Sequence, residues 1–239
     1  VGRAIPASLA VVATAVVVVV GFVVWRQEQL TSDSLPWSTP TTPTAPVAGT
    51  AGYDQARADA GRLPVRGWDL TTDFTRARFG EAWSDDVNVE FGHNGCNTRD
   101  DILRRDLADL VVRSGTCFAQ SGVLHDPYGN ETIAFTRGPE TSNAVQVDHV
   151  VSLSDAWYKG ARDWDDQRRR DFANDPRNLL AVGGSLNVDK AYRDAASWLP
   201  PNVGFRCRFV ARQVAVKTAY GLWVSAKEKQ AMEQVLAGC

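Results

Sequence analysis

The chain is poor in the features that mark several function classes. Its 239 residues include only four cysteines, at positions 96, 117, 207 and 239, and no two stand as C-x-x-C. Structural zinc sites draw on closely spaced cysteine pairs, so a four-cysteine zinc site is set aside. Charge of either sign is scarce in excess: 26 Lys and Arg stand against 28 Asp and Glu, a formal −2. Residues 140–239 hold 14 Lys and Arg against 12 Asp and Glu, a net of about +2. Strong nonspecific nucleic-acid binders are visibly basic, so any polynucleotide contact here rests on a local patch and not on a global field. There is no internal repeat, which excludes a solenoid.

What is present at the amino terminus is apolar. Residues 9–25, LAVVATAVVVVVGFVVW, carry no charge, and from Ile5 the run is 21 residues long. A spanning helix needs about 20. No small-x-small cleavage signal follows GFVVWRQEQL, so residues 1–26 are expected to be an uncleaved membrane-anchor helix in preference to a cleaved signal peptide. Between 31 and 50, thirteen of twenty residues are Ser, Thr or Pro, which cannot bury a core. Residues 27–52 therefore read as an extended linker, and 53–239 as one folded domain. An even cysteine count behind an export segment reads as disulfides outside the cytoplasm. Of the three connectivities four cysteines allow, Cys96–Cys117 and Cys207–Cys239 are expected, because each closes a local loop and the second pins the carboxyl terminus.

Periodicity places the elements coarsely. Residues 99–113 show helical spacing of Ile102, Leu103, Leu107, Leu110 and Val111 behind the cap signal Asn97-Thr98. Segments 130–136 and 144–153 read as strands, and 155–172, 188–198 and 226–236 as helices. Segment 205–220 stays open between strand, which suits Val210, Val214 and Val216, and helix. The fold class is α+β.

The chemistry concentrates between Asp148 and Pro201. Asp148-His149 follows an apolar β-branched run, Asn178 comes 29 residues after His149, Asn187 nine later and Lys190 three beyond that. On a helix, Asn187 and Lys190 share one face. A carboxylate, an imidazole of ordinary pKa about 6.5, two amides and a cation are the groups that metal-assisted phosphodiester hydrolysis requires. His93, ahead of NGC, and His125, ahead of DPYG, sit in turn signals and read as loop residues.

In order, D-H-V-V, N-D-P-x-N-L, N-x-x-K and W-L-P-P resemble the HNH (ββα-metal, His-Me finger) nucleases, and more closely a group of secreted actinobacterial HNH-type proteins catalogued as a domain of unknown function. The likeness extends over roughly residues 63–239 through NGCNTRDDILRRDL, SGVLHDPYG and CRFVARQVAVKTAYGLW, and it favours a helix for 205–220. It implies a ββα-metal core wrapped by helices. It makes His149 the general base, Asp148 and Asn187 the metal ligands, Asn178 the residue that holds the loop or orients the imidazole, and Lys190 a phosphate neutraliser. Asn in place of the family's second His favours a hard, oxygen-preferring ion, Mg²⁺ or Mn²⁺, over zinc.

Arg168, Arg169 and Arg170 are the candidate nucleic-acid patch, against the alternative of a solvated helix face. Trp157, Trp164 and Trp198 either stack on bases or fill the core, and the core is the preferred reading. The expected activity is that of an extracytoplasmic, monomeric, divalent-metal-dependent nuclease, with DNA preferred to RNA and the membrane reached through the amino-terminal helix. The alternative is a non-catalytic envelope or secreted binding protein that keeps the same fold.

Overall fold

A computed structural model describes Gly2 and residues 50–67, 73–139 and 141–239. The expected anchor, 1–26, and nearly all of the expected linker lie outside the described residues. Among those described, no helix is long and apolar enough to cross a membrane.

Helix α1, Thr50–Arg62, opens the described chain. Its buried Ala56 and Ala60, with Leu63 just past its end, recur at helical spacing and pack with the two carboxy-terminal helices. A 3₁₀ turn follows at Arg76–Phe79, pinned by fully buried Phe79. Helix α2, Thr98–Asp106, is capped by Asn97, whose side chain accepts the Asp100 amide at 2.9 Å. The expected helix over 99–113 ends early, because Leu107 is extended (φ −88°, ψ 133°) and Ala108–Val112 forms strand β1. The β-branched Val111 and Val112 pair with β2, Ala119–His125, and tertiary pairing wins over the helical spacing. β3, Thr132–Thr136, completes an antiparallel β1-β2-β3 sheet.

Strand β4, Val145–His149, pairs antiparallel with β5, Leu179–Gly183, so that Val145 faces Gly183 and His149 faces Leu179. The 29 residues between them are not one helix. They fold as α3, Leu153–Tyr158, a 3₁₀ turn at Ala161–Asp163, and α4, Asp166–Asn174. The break sits at Gly160, whose φ of +129° is open only to glycine. β5 runs directly into α5, Gly184–Lys190, so strand, strand and helix form one unit. A Cβ at Gly184 would stand 2.0 Å from the Asn143 carbonyl oxygen, so the turn from strand to helix needs glycine there. The helix expected at 188–198 thus lies earlier, and Ala191, at φ 51°, ends it.

Segment 205–220, open between strand and helix by its spacing and helical by the resemblance, forms α6, Arg206–Tyr220, ended by Gly221 in the left-handed region. α7, Ala226–Ala237, closes the chain behind the Ser225 cap. Disulfides join Cys96 to Cys117 and Cys207 to Cys239, with Cα separations of 5.6 and 5.9 Å. The fold is mixed α+β and carries both expected disulfides. Trp157 and Trp198 are core residues, their indole N–H groups donating to Asp73 and Asp189. Trp164 is partly buried, packed on Phe172 and Tyr220.

Candidate active site

The period of a strand decides the layout. Asp148 and His149 are neighbours on β4, so their side chains leave on opposite faces. Asp148 turns toward α5. Its Oδ1 accepts from Lys190 Nζ at 3.0 Å and its Oδ2 from the Tyr128 hydroxyl at 2.7 Å. Lys190 also donates to the His149 carbonyl at 2.9 Å and has no solvent exposure. Burial raises the Asp148 pKa, against the opposing pull of Lys190 and Tyr128. Burial, together with the Asp148 charge, pushes the Tyr128 hydroxyl well above its ordinary value, so it stays a donor.

His149 turns the other way, into a cavity of about 240 Å³ lined by Arg76, Glu81, Trp83, Leu153 and Ala173 among others. Its Nε2 lies 2.8 Å from the Ala173 carbonyl oxygen, which only an N–H can satisfy. The proton therefore sits on Nε2, and Nδ1 carries the lone pair. The Trp83 ring stacks nearly parallel to the imidazole at 5.8 Å. Burial pushes the His149 pKa down to about 3, with Arg76 and Lys190 adding to the shift and the Ala173 carbonyl opposing it. At neutral pH the ring is uncharged.

Asn178 is fully buried and makes two bonds to one residue. Its Oδ1 accepts the Val151 amide at 2.8 Å and its Nδ2 donates to the Val151 carbonyl at 3.1 Å. It closes the loop that leaves His149, without touching the imidazole. Asn187, on α5, donates through Nδ2 to Gln146 Oε1 at 2.8 Å. Gln146 and Asp148 alternate on β4, so Asn187 and Asp148 share the helix-facing side. The Asn187 amide nitrogen makes that bond, which leaves its oxygen as the end available to a ligand. Asp148 and Asn187 thus offer only oxygens, and each carboxylate oxygen of Asp148 has a second lone pair beyond its present partner. That donor set suits a hard divalent cation.

The three arginines of α4 do not form an outward row. Arg169 is buried and donates to the carbonyls of Arg78 and Trp164. Arg170 pairs with Asp86 and Gln167. Arg168 is exposed, yet it donates to the Tyr220 carbonyl and lies over the Trp164 ring. His93 is exposed in a left-handed turn, and His125 is exposed at the end of β2, outside the His149 cavity.

Sequence reasoning missed Tyr128, Gln146, Arg76 and Trp83. Tyr128 stands in DPYG, where the turn signal hid a fully buried ring. Gln146 had a signal, since it shares the strand period of Asp148. Arg76 and Trp83 had none, because they reach His149 only through the tertiary fold. The one group of three clustered carboxylates among the described residues, Asp155, Asp194 and Glu228, lies elsewhere and encloses the Lys159 ammonium. Lys217 neutralises it further through Asp155 and Glu228.

A family model described as "GmrSD restriction endonucleases, C-terminal domain" matches residues 97–235. An uncharacterized secreted protein of Arthroderma benhamiae is 38% identical over 146 residues, covering 60% of this chain and 68% of the relative. No solved structure matches. The chain belongs to the family of GmrSD restriction endonuclease C-terminal domains, and so carries a nuclease-family domain.

Proposed function

We propose that this chain is a divalent-metal-dependent endonuclease of the HNH (ββα-metal) type, acting outside the cytoplasm on DNA with little sequence specificity. The observation that supports it best is the strand–strand–helix unit that brings a neutral, Nε2-protonated His149, lining a cavity, together with its strand neighbour Asp148 and with Asn187 and Lys190 of the following helix. The family's description as restriction endonucleases supports the nuclease reading, and the secreted relative supports an extracytoplasmic location.

In this reading Asp148 and Asn187 hold Mg²⁺ or Mn²⁺. The ion, when bound, stabilises charge on the phosphate and on the leaving oxygen. His149 takes a proton from the attacking water at Nδ1, and the Ala173 carbonyl, bonded at Nε2, holds the tautomer and steadies the imidazolium that forms. Its low pKa keeps it unprotonated, and the negative charge of a bound phosphodiester raises its basicity when substrate is in place. Asn178 is a positioning residue, fixing the loop behind His149. Lys190 neutralises Asp148 from within and supports the carboxylate's orientation.

The test is incubation of the full chain with plasmid, single-stranded DNA and RNA in Mg²⁺, Mn²⁺ or chelator. Nicking of plasmid that stops in chelator and in the His149→Ala protein is expected. Cleavage that ignores both would overturn the assignment, and a protein that binds DNA without cutting it would favour the non-catalytic binding reading.

A further inference from the structure

The family match begins at residue 97, yet part of the wall of the His149 cavity comes from residues 76–83, ahead of it. That segment is built firmly against the domain. Phe79 is buried between Trp157 and Phe172, with ring centroids 6.2 and 6.0 Å away. The Arg169 guanidinium donates to the Arg78 carbonyl at 2.9 Å. Thr98, the first residue of α2, donates its amide to the Trp83 carbonyl at 3.1 Å and its hydroxyl to that of Ser84 at 2.9 Å. Trp83 holds a left-handed backbone (φ 60°), a conformation that costs a non-glycine residue energy and is kept here beside the imidazole it stacks on.

Within this braced segment Arg76 differs from the arginines around it. Arg78 lies over the Trp157 ring, Arg162 contacts Asp73, Arg169 is buried among carbonyls and Arg170 pairs with Asp86. Arg76 is exposed, lines the cavity with His149, and makes no hydrogen bond or ion pair with any described residue. Glu81 is the other charged group on the same wall, and it does not pair with Arg76. Arg76 is the one arginine among the residues lining the cavity, and none of them is a lysine, so it is the fixed cation that the cavity offers to a ligand. A guanidinium presents a planar fork of donors that matches phosphate oxygens.

We propose that Arg76 anchors the substrate: its guanidinium grips non-bridging oxygens of the polynucleotide backbone and presents a phosphodiester to His149, so that the site is composite and extends beyond the matched family domain. The inference rests on the nuclease reading above. It also answers the shortage of positive charge, since one directed guanidinium at the cavity does what the near-neutral surface does not.

The experiment separates the two claims. Binding of labelled DNA and RNA oligonucleotides to the full chain is measured against salt in the His149→Ala protein, with and without Arg76→Ala. Loss of one phosphate contact lowers the slope of log affinity against log salt by about 0.7–0.9. Arg76→Lys, which keeps the charge, should restore most of the slope, and Arg78→Ala should leave it unchanged. With His149 present, Arg76→Ala should raise KM. A wild-type chain that neither binds nor cuts either polymer overturns the nuclease reading and this inference with it. A wild-type chain that does both, beside an Arg76→Ala protein with the same slope and the same KM, overturns this inference alone.

Discussion

Lys190→Met tests whether the ammonium beside Asp148 is an internal counter-ion or a group held out for substrate. Lys190 has no exposure and Asp148 about 5%, and Nζ lies 3.0 Å from Oδ1. Removing one partner of a buried pair leaves the other charge uncompensated, at a cost of about 3–5 kcal/mol. In a domain of this size that corresponds to a fall in Tm of roughly 6–20 °C. The Tyr128 hydroxyl bond remains and eases the loss without replacing the charge. The double change Lys190→Met with Asp148→Asn should recover most of the stability, because no charge is left buried while Tyr128 keeps an acceptor. pH gives an independent readout. Burial already raises the Asp148 pKa, and losing the ammonium raises it further. A carboxyl whose folded pKa exceeds its unfolded value of about 3.9 destabilises the fold as pH rises through that interval. The deficit of Lys190→Met should therefore be largest at neutral pH and smallest near pH 4. Urea unfolding in chelator at several pH values measures it. A single variant within 1 kcal/mol of wild type, or a double variant no better than the single, would refute the counter-ion role (threshold set by the ~1 kcal/mol worth of an exposed pair).

His149→Ala should lower the cleavage rate by about 10²–10⁴ while nucleic-acid affinity stays close to wild type, as read by single-turnover kinetics and titration. Asn187→Ala should also slow cleavage, but with a weakened metal affinity that added Mn²⁺ or Mg²⁺ partly rescues; His93→Ala and His125→Ala should cut normally. Asn178→Ala leaves the amide and carbonyl of Val151 buried without partners, so chemical denaturation should show a loss of roughly 2–4 kcal/mol. Replacing Cys207 and Cys239 together by Ser should cost about 2–5 kcal/mol in the same assay.

The disulfide pairs were legible because short loops between cysteines constrain where a partner can lie, and both fell where spacing placed them. The order Asp148, His149, Asn178, Asn187 and Lys190 was legible as a compact unit, since a strand pair followed directly by a helix needs little intervening chain. Helix limits were less so. Leu110 and Val111 continue the apolar spacing of α2, but their β-branched neighbourhood pairs with β2, a partner that local periodicity does not contain. Gly160 interrupts the 155–172 segment at a φ of +129°, a conformation that apolar spacing does not report. The arginine run 168–170 looked like a surface patch because a sequence does not say which carbonyls a guanidinium will meet; Arg169 meets four of them.

The adjacency of Asp148 and His149 carries a physical consequence of its own. Two neighbouring residues on one strand leave the pleat in different directions, so the two side chains are held by different parts of the fold. The carboxylate is therefore controlled by α5 and Tyr128, whereas the imidazole is controlled by Ala173 at the end of α4 and by Trp83 ahead of α2. Lys190 links the two sides, since its single ammonium bonds both the Asp148 carboxylate and the His149 carbonyl. Asn178, just ahead of β5, holds the chain that leaves His149 through both bonds to Val151. A displacement of α5 thus reaches the backbone of His149 without passing through its side chain. For that reason the residues that hold this site are more numerous than those that would touch a substrate, and they lie on elements far apart in the chain.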